Sequence, residues 1–207
     1  LRGILGTGCA RMNRYTVARA TMGLGRYLLD HHLSRGVAIA HDSRHGSEEF
    51  TAVTAGVLAA MGIRVYVFPT LVPTPMLSFA VRILHADAGV MITASHNPAV
   101  YNGYKVYGAD GCQITDKAAA AITSRIESVR YTDPALLPET QARGAGLWVD
   151  IDDTVNRCFA QACLFCRPDP EVCADLHVVY TPLNGTGLLP VTEVLGLMQG
   201  VTVIRVQ

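Results

Sequence analysis

Two hydrophobic periods take turns along this chain. Short apolar runs at Val37-Ala38-Ile39-Ala40, Ile63–Val67 and Asp87–Ile92 read as buried strands, and the stretches between them follow the wider helical period. Asn13 is placed to cap a helix running to about Leu33, with Tyr15, Ala18, Met22, Gly25 and Leu29 near one face and Gly36 ending it. Gly46 or Ser47 opens a second helix through Phe50, Val53, Val57 and Met61, closed by Gly62. Pro73 and Pro75 flank Thr74 at the start of a third, through Leu77, Phe79 and Val81. Tyr101–Tyr107 reads as a further strand, and a helix follows from about Asp116 to Ser128. Strands alternating with helices predict an α/β fold: a mostly parallel, mixed sheet with helices on both faces.

The pattern breaks at residues 131–146, where Asp133-Pro134, Pro138 and Gly144-Ala145-Gly146 cluster. We therefore expect a first domain over residues 1–135, a linker over 136–150 and a second α/β unit over 151–207. That unit reads as a helix at about 151–166, a strand at 177–181, a helix at 188–198 and a strand at 201–206. One βαβ start leaves its sheet faces uncovered, so the second domain is expected to be truncated. Leu1 is likewise expected not to be the native start.

Composition narrows the function classes. Half of the 207 residues are hydrophobic and 16% are charged, which suits a buried core and not a disordered chain. With 17 basic and 17 acidic residues, the charge gives no case for a nucleic acid or a membrane surface. No apolar run approaches the ~18–20 residues of a membrane-crossing helix, and the N-terminal stretch lacks the apolar core of a signal peptide. A cytoplasmic location is the expectation. Cys158, Cys163 and Cys166 have the C-x4-C-x2-C spacing of plant-type iron–sulfur proteins, with Cys173 close behind. Their neighbours Phe159, Ala160, Ala162, Leu164 and Phe165 favour ordinary buried thiols on an apolar helix.

The chemistry concentrates at Thr93-Ala94-Ser95-His96-Asn97-Pro98, a small polar loop between two expected strands. Ligands of open α/β sheets bind at such strand ends. Ser95 presents a hydroxyl able to carry a phosphoryl group, although a turn serine bonded to its own backbone has the same local sequence. His96 is adjacent. On an extended chain the two would point to opposite sides, so His96 is expected to order the loop or bind a phosphate oxygen rather than deprotonate Ser95 directly. Lys105, on the following strand, could neutralise phosphoryl charge and move a proton, or simply be solvated. Arg44, at the end of the first strand, could hold a phosphate or orient the loop; it could equally pair with Glu48 or Glu49. Asp150-Ile151-Asp152-Asp153 mimics a metal cluster but sits where a helix begins, where acids belong in any case. Gly185-Thr186-Gly187 fits a strand–loop–helix turn as well as a nucleotide loop.

Thr93–Pro98 followed by Asn102-Gly103-Tyr104-Lys105 resembles the phosphoserine loop of the α-D-phosphohexomutases. Leu1-Arg2-Gly3 is similar to that family's opening, His41-Asp42-Ser43-Arg44 to its Tyr-Asp-Ser-Arg strand end, and Val178–Gly187 to the start of its second domain, where Asn184 replaces a more frequent His. The resemblance implies an isomerase that moves a phosphoryl group between the C1 and C6 oxygens of a hexose phosphate, glucose or mannose. Phosphorylated Ser95 would be the carrier and a hexose bisphosphate the intermediate. It implies Lys105 and Arg2 in acid–base work, His96 beside the carrier, and Arg44, Asn97 and Thr93 on phosphate. It also implies Mg2+ on the Ser95 phosphate, with its remaining ligands outside this chain, so the chain alone is expected to be inactive. Two alternatives stay open. One is a phosphopentomutase, since Arg11-Met12-Asn13 and Arg19-Ala20-Thr21 resemble that longer branch. The other is a non-catalytic sugar-phosphate-binding relative. The sugar and the oligomeric state are not legible.

Overall fold

The computed structural model describes residues 1–167 and 175–206. The first strand, β1 (Arg2–Ile4), leads to α1 (Arg14–Asp30), β2 (Val37–His41), α2 (Ser47–Ala60), β3 (Val65–Val67), α3 (Thr74–Ile83), β4 (Ala88–Ile92) and β5 (Tyr101–Gly108). Then come α4 (Asp116–Glu127), α5 (Glu139–Gly144), β6 (Trp148–Asp150), α6 (Asp153–Phe165), β7 (Leu176–Tyr180), α7 (Leu188–Gly196) and β8 (Val201–Arg205). Six strands form one sheet in the order β1-β5-β4-β2-β3-β6, and β7 pairs β8 separately. Strands β4, β2, β3 and β6 are mutually parallel, while β5 runs antiparallel to both β1 and β4.

The local signals act as expected at helix ends. Asn13 caps α1 by accepting from the N–H groups of Tyr15 and Thr16, and the Thr16 hydroxyl returns the bond to the Asn13 N–H. The expected face of α1 holds only in part, however. Ala18 and Gly25 are buried and Met22 is half-buried, but Tyr15 and Leu29 are exposed, and Val17, Ala20, Leu24 and Leu28 are buried beside them. The helix packs on both α2 and α4, so its buried stripe is centred between those neighbours rather than on the largest side chains. The stretch 136–150, expected as a linker, carries α5 and β6, and β6 pairs in parallel with β3 as an edge of the six-stranded sheet. Three residues are too few to show a period.

Alternation along the central strands separates two cores. Val37, Ile39, Val90 and Ile92 face the layer of α1 and α2. Ala38, Ala40 and Met91 face α3, with Val155 and Ile151 of the following segment on the same side. α2 crosses from β2 to β3 on one face. α3 then crosses from β3 back past β2 to β4 on the other. The chain thus leaves β2 and β4 in opposite directions, and their C-terminal ends open a crevice of the kind that receives ligands in doubly wound sheets.

Gly103 lies where flanking backbone leaves no room for a side chain. A Cβ there would stand 2.5 Å from the Thr93 carbonyl oxygen and 3.1 Å from that of Leu1, both backbone atoms on flanking segments. Gly103→Ala should therefore cost about 1–3 kcal/mol, the usual range for overpacking, and should displace Thr93. Chemical denaturation monitored by circular dichroism checks the first effect. A midpoint equal to the parent's would contradict it.

Candidate active site

The crevice is a cleft of about 920 Å³ whose walls include Asp42, Arg44, Thr93, Ser95 and Asn97. The opposite wall is the 182–186 loop, which follows β7. The Ser43 hydroxyl donates to the Asn184 carbonyl at 2.7 Å, bringing that loop against the first sheet.

Ser95 has φ of +57°, the left-handed region that costs an L-residue about 1–2 kcal/mol. Its backbone is held on both sides. Its N–H donates to the Thr93 hydroxyl at 2.8 Å, and its carbonyl accepts from Arg44 Nη2 at 2.5 Å. The left-handed turn overturns the extended-chain expectation for His96: the imidazole Nδ1 stands 3.5 Å from Ser95 Oγ, on the same side of the chain. Asn97 closes the turn with its N–H on the Ala94 carbonyl at 3.2 Å.

Arg44 does not pair with Glu48 or Glu49. Its two terminal nitrogens donate to the carbonyls of Ser95, Asn97, Pro98 and Tyr101, and its Nε lies 3.3 Å from Asp42 Oδ2. Four backbone acceptors on one planar guanidinium fix the whole 95–101 loop. Thr93, expected on phosphate, is instead 4% exposed, and its hydroxyl proton goes to Asp42 Oδ2.

Arg2 and Lys105 line a second cavity of about 490 Å³. Arg2 bridges the two cavities by donating to Asn97 Oδ1 at 3.3 Å. Partial burial lowers the Lys105 pKa from its ordinary 10.5, the Arg2 charge lowers it further, and Asp42 opposes both. The unfolded chain then binds more protons than the folded one between the two pKa values. Stability gains from this group as pH rises through that window toward 10.5. The chain has two lysines, Lys105 and Lys117, so reductive 13C-methylation gives a readable titration. Lys105 should titrate below 10.5, and Arg2→Gln should move it back up. A Lys105 titration at or above 10.5 would contradict the assignment.

Sequence reasoning named Asp42, Ser47 and Asn102 but gave none of them a role in the site. Asp42 Oδ1 accepts from the Arg44 N–H at 3.0 Å and the Ser47 hydroxyl at 2.8 Å, and Asn102 Nδ2 donates to the Ser47 oxygen at 3.0 Å. The available signal was a carboxylate at a strand end two residues before an arginine. Among the described residues no group of three or more His, Cys, Asp or Glu is arranged to hold a metal. Asp42, the one carboxylate among the cleft's lining residues, has both oxygens occupied. The residues present therefore do not fit a Mg2+ site of their own.

A model for domain I of the phosphoglucomutases and phosphomannomutases, an alpha/beta/alpha domain, matches residues 1–133. The chain belongs to the phosphoglucomutase/phosphomannomutase family. A phosphoglucomutase of Staphylococcus epidermidis is 39% identical over 196 residues, covering 94% of this chain and 36% of that protein. The "Probable phosphoribomutase" of Schizosaccharomyces pombe is 40% identical over 205 residues, covering 95% of this chain and 34% of that protein. A family structure from Burkholderia thailandensis matches the fold with a TM-score of 0.75 at 20% identity, over 100% of this chain and 42% of that one. The chain thus spans about a third of the length of these curated relatives.

The other sequence candidates fall elsewhere. Asp150 forms a two-pronged pair with Arg143, Asp152 caps α6 through the Thr154 N–H, and Asp153 faces Arg157. Gly185-Thr186-Gly187 lies in the loop before α7. The thiols expected to be buried are not: Cys158 and Cys163 are half-buried and Cys166 is exposed. Helix α6 turns Val155 and Ala160 inward and leaves its C-terminal end, including Phe165, in solvent. Cys173 lies outside the described residues. No helix among those residues is long and apolar enough to cross a membrane.

Proposed function

We propose that this chain is the phosphoryl-carrying part of an enzyme that interconverts a sugar 1-phosphate and a sugar 6-phosphate through phosphorylated Ser95. The carrying observation is the presentation of Ser95. Its backbone N–H and carbonyl are both tied down, yet its hydroxyl makes one contact among the described residues, to His96, at the mouth of a switch-point cleft. A bisphosphorylated sugar would give up one phosphoryl group there. The P–O bond to the sugar oxygen breaks, the bond to Ser95 Oγ forms, and the Ser95 proton ends on the sugar oxygen. Lys105, with its lowered pKa, and Arg2 are the groups proposed to serve the proton and charge changes at the sugar. Asn97, held by Arg2, and His96 are proposed to meet phosphate oxygens. Thr93 and Arg44 are proposed to act on the loop, not on the sugar. Mg2+ would supply charge neutralisation at the transferring phosphoryl group, and none of the described residues is assigned to hold it. Residues from 151 onward are proposed to begin a second α/β unit.

A pentose phosphate is the second reading. It is favoured by the 40% identity to the Schizosaccharomyces pombe protein, a value no lower than that to the staphylococcal phosphoglucomutase.

The test uses the 207-residue chain with Mg2+ and glucose 1,6-bisphosphate or ribose 1,5-bisphosphate as donor, read by intact mass and peptide mapping. The expected outcome is a single phosphoryl group on Ser95, with the better donor naming the sugar class. Steady multiple turnover should be absent, because alignment of both sugar ends dominates phosphoryl transfer and this chain spans about a third of the length of its curated relatives. No label on Ser95 overturns the reading. Sustained turnover overturns the claim that the chain is only part of the enzyme.

A further inference from the structure

We propose that Asp42 is the positioning residue of the Ser95 loop: one buried carboxylate fixes both backbone groups of Ser95, through Thr93 on one side and Arg44 on the other. The inference rests on the reading of Ser95 as carrier, and it adds a residue to which no role in the transfer was given.

The Thr93 hydroxyl has one proton. Asp42 Oδ2 takes it at 2.5 Å, which turns the oxygen's lone pairs toward the Ser95 N–H at 2.8 Å. Asp42 Oδ2 also faces Arg44 Nε at 3.3 Å, and Arg44 Nη2 then grips the Ser95 carbonyl. The carboxylate is itself pinned from behind by Ser47 and by the Arg44 N–H, and it is 9% exposed. Both routes from Asp42 therefore end on Ser95, whose left-handed conformation needs such over-determination to persist. Without the carboxylate, the Thr93 hydroxyl is free to rotate and Arg44 loses its counter-charge. Asp42 touches no reacting atom in this arrangement; it decides where the Ser95 hydroxyl points. Its charge also reaches Lys105, so the same group influences both cavities.

The experiment compares Asp42→Asn, Thr93→Val, Thr93→Ser and Ser47→Ala in the 207-residue chain. Three readouts are taken: melting temperature, NMR hydrogen exchange of the Ser95 amide, and phosphoryl uptake from glucose 1,6-bisphosphate. Asp42→Asn and Thr93→Val should speed Ser95 exchange by about tenfold or more and slow uptake by about a hundredfold, as misplacement of a reacting group does. Thr93→Ser keeps the hydroxyl and should stay within about threefold of the parent in both. Ser47→Ala, bonded to Asp42 but not to Ser95, should lower the melting temperature without changing Ser95 exchange. If Asp42→Asn does not fold, the Thr93→Val and Thr93→Ser pair decides. Unchanged Ser95 exchange in Thr93→Val overturns the proposal, as does failure of Thr93→Ser to restore it. Absence of uptake in the parent, together with altered exchange in Thr93→Val, would reject the carrier and leave the clamp standing.

Discussion

Replacing Ser95 by alanine is expected to abolish phosphoryl uptake and leave the fold in place. The reason is a division of labour within one residue. The short hydrogen bonds that hold Ser95 use its N–H and carbonyl, while Oγ has only the 3.5 Å approach of His96. Removing Oγ leaves the turn's bonds intact, so stability should move by less than about 1 kcal/mol. Glycine makes the sharper case. The left-handed conformation costs an L-residue about 1–2 kcal/mol that glycine does not incur, against about 0.4–1 kcal/mol of added freedom in the unfolded chain. Ser95→Gly should therefore be at least as stable as the parent and equally unable to take phosphate. A strained serine where glycine is more comfortable supports the proposal that this position is kept for its hydroxyl. Mass spectrometry after exposure to bisphosphate, beside a thermal melt, checks both halves. Uptake by the alanine variant within tenfold of the parent would sink Ser95 as carrier.

Arg44→Ala is expected to damage stability and transfer together. It strips the carbonyls of Ser95, Asn97, Pro98 and Tyr101 of a shared donor, and it leaves the Asp42 carboxylate buried without its cation. Removing one member of a buried ion pair costs about 3–5 kcal/mol. The partial exposure of the arginine, 13% of its side chain, places the effect toward the lower end. Uptake should fall by about a hundredfold as the loop loses its fixed direction. Arg44→Lys separates the two effects. An ammonium restores the charge opposite Asp42 but is a point donor, unable to span four carbonyls as a planar guanidinium does. Its melting temperature should recover in part while uptake stays low. Native uptake by the lysine variant would show that charge alone, and not the shape of the donor, positions the loop.

Much of this was legible before any coordinates. The buried strands at 37–41 and 88–92 are runs of small and branched apolar residues, and the cap at Asn13 is a side-chain preference acting over three residues. The loop at 93–98 could be recognised because its chemistry is contiguous. Local physics writes such features directly into the sequence. Short strands escaped for the same reason: β1 and β6 have three residues each and exist because β5 and β3 offer them hydrogen bonds. Three further matters belonged to the tertiary structure alone. Residue 95 adopts a left-handed turn, which put His96 beside the hydroxyl instead of across the chain. Arg44 chose carbonyls more than fifty residues away, together with Asp42, over Glu48 and Glu49, because a fixed cluster of backbone acceptors outweighs an exposed helix ion pair. Asp42 and Thr93 lie 51 residues apart and meet only because β2 and β4 are parallel neighbours whose C-terminal ends coincide. The sequence by itself determined which groups were available and which of the longer segments would be strands and helices. Their convergence on Ser95 depended on strand order, which is settled by the burial of two helix layers on opposite faces of one sheet.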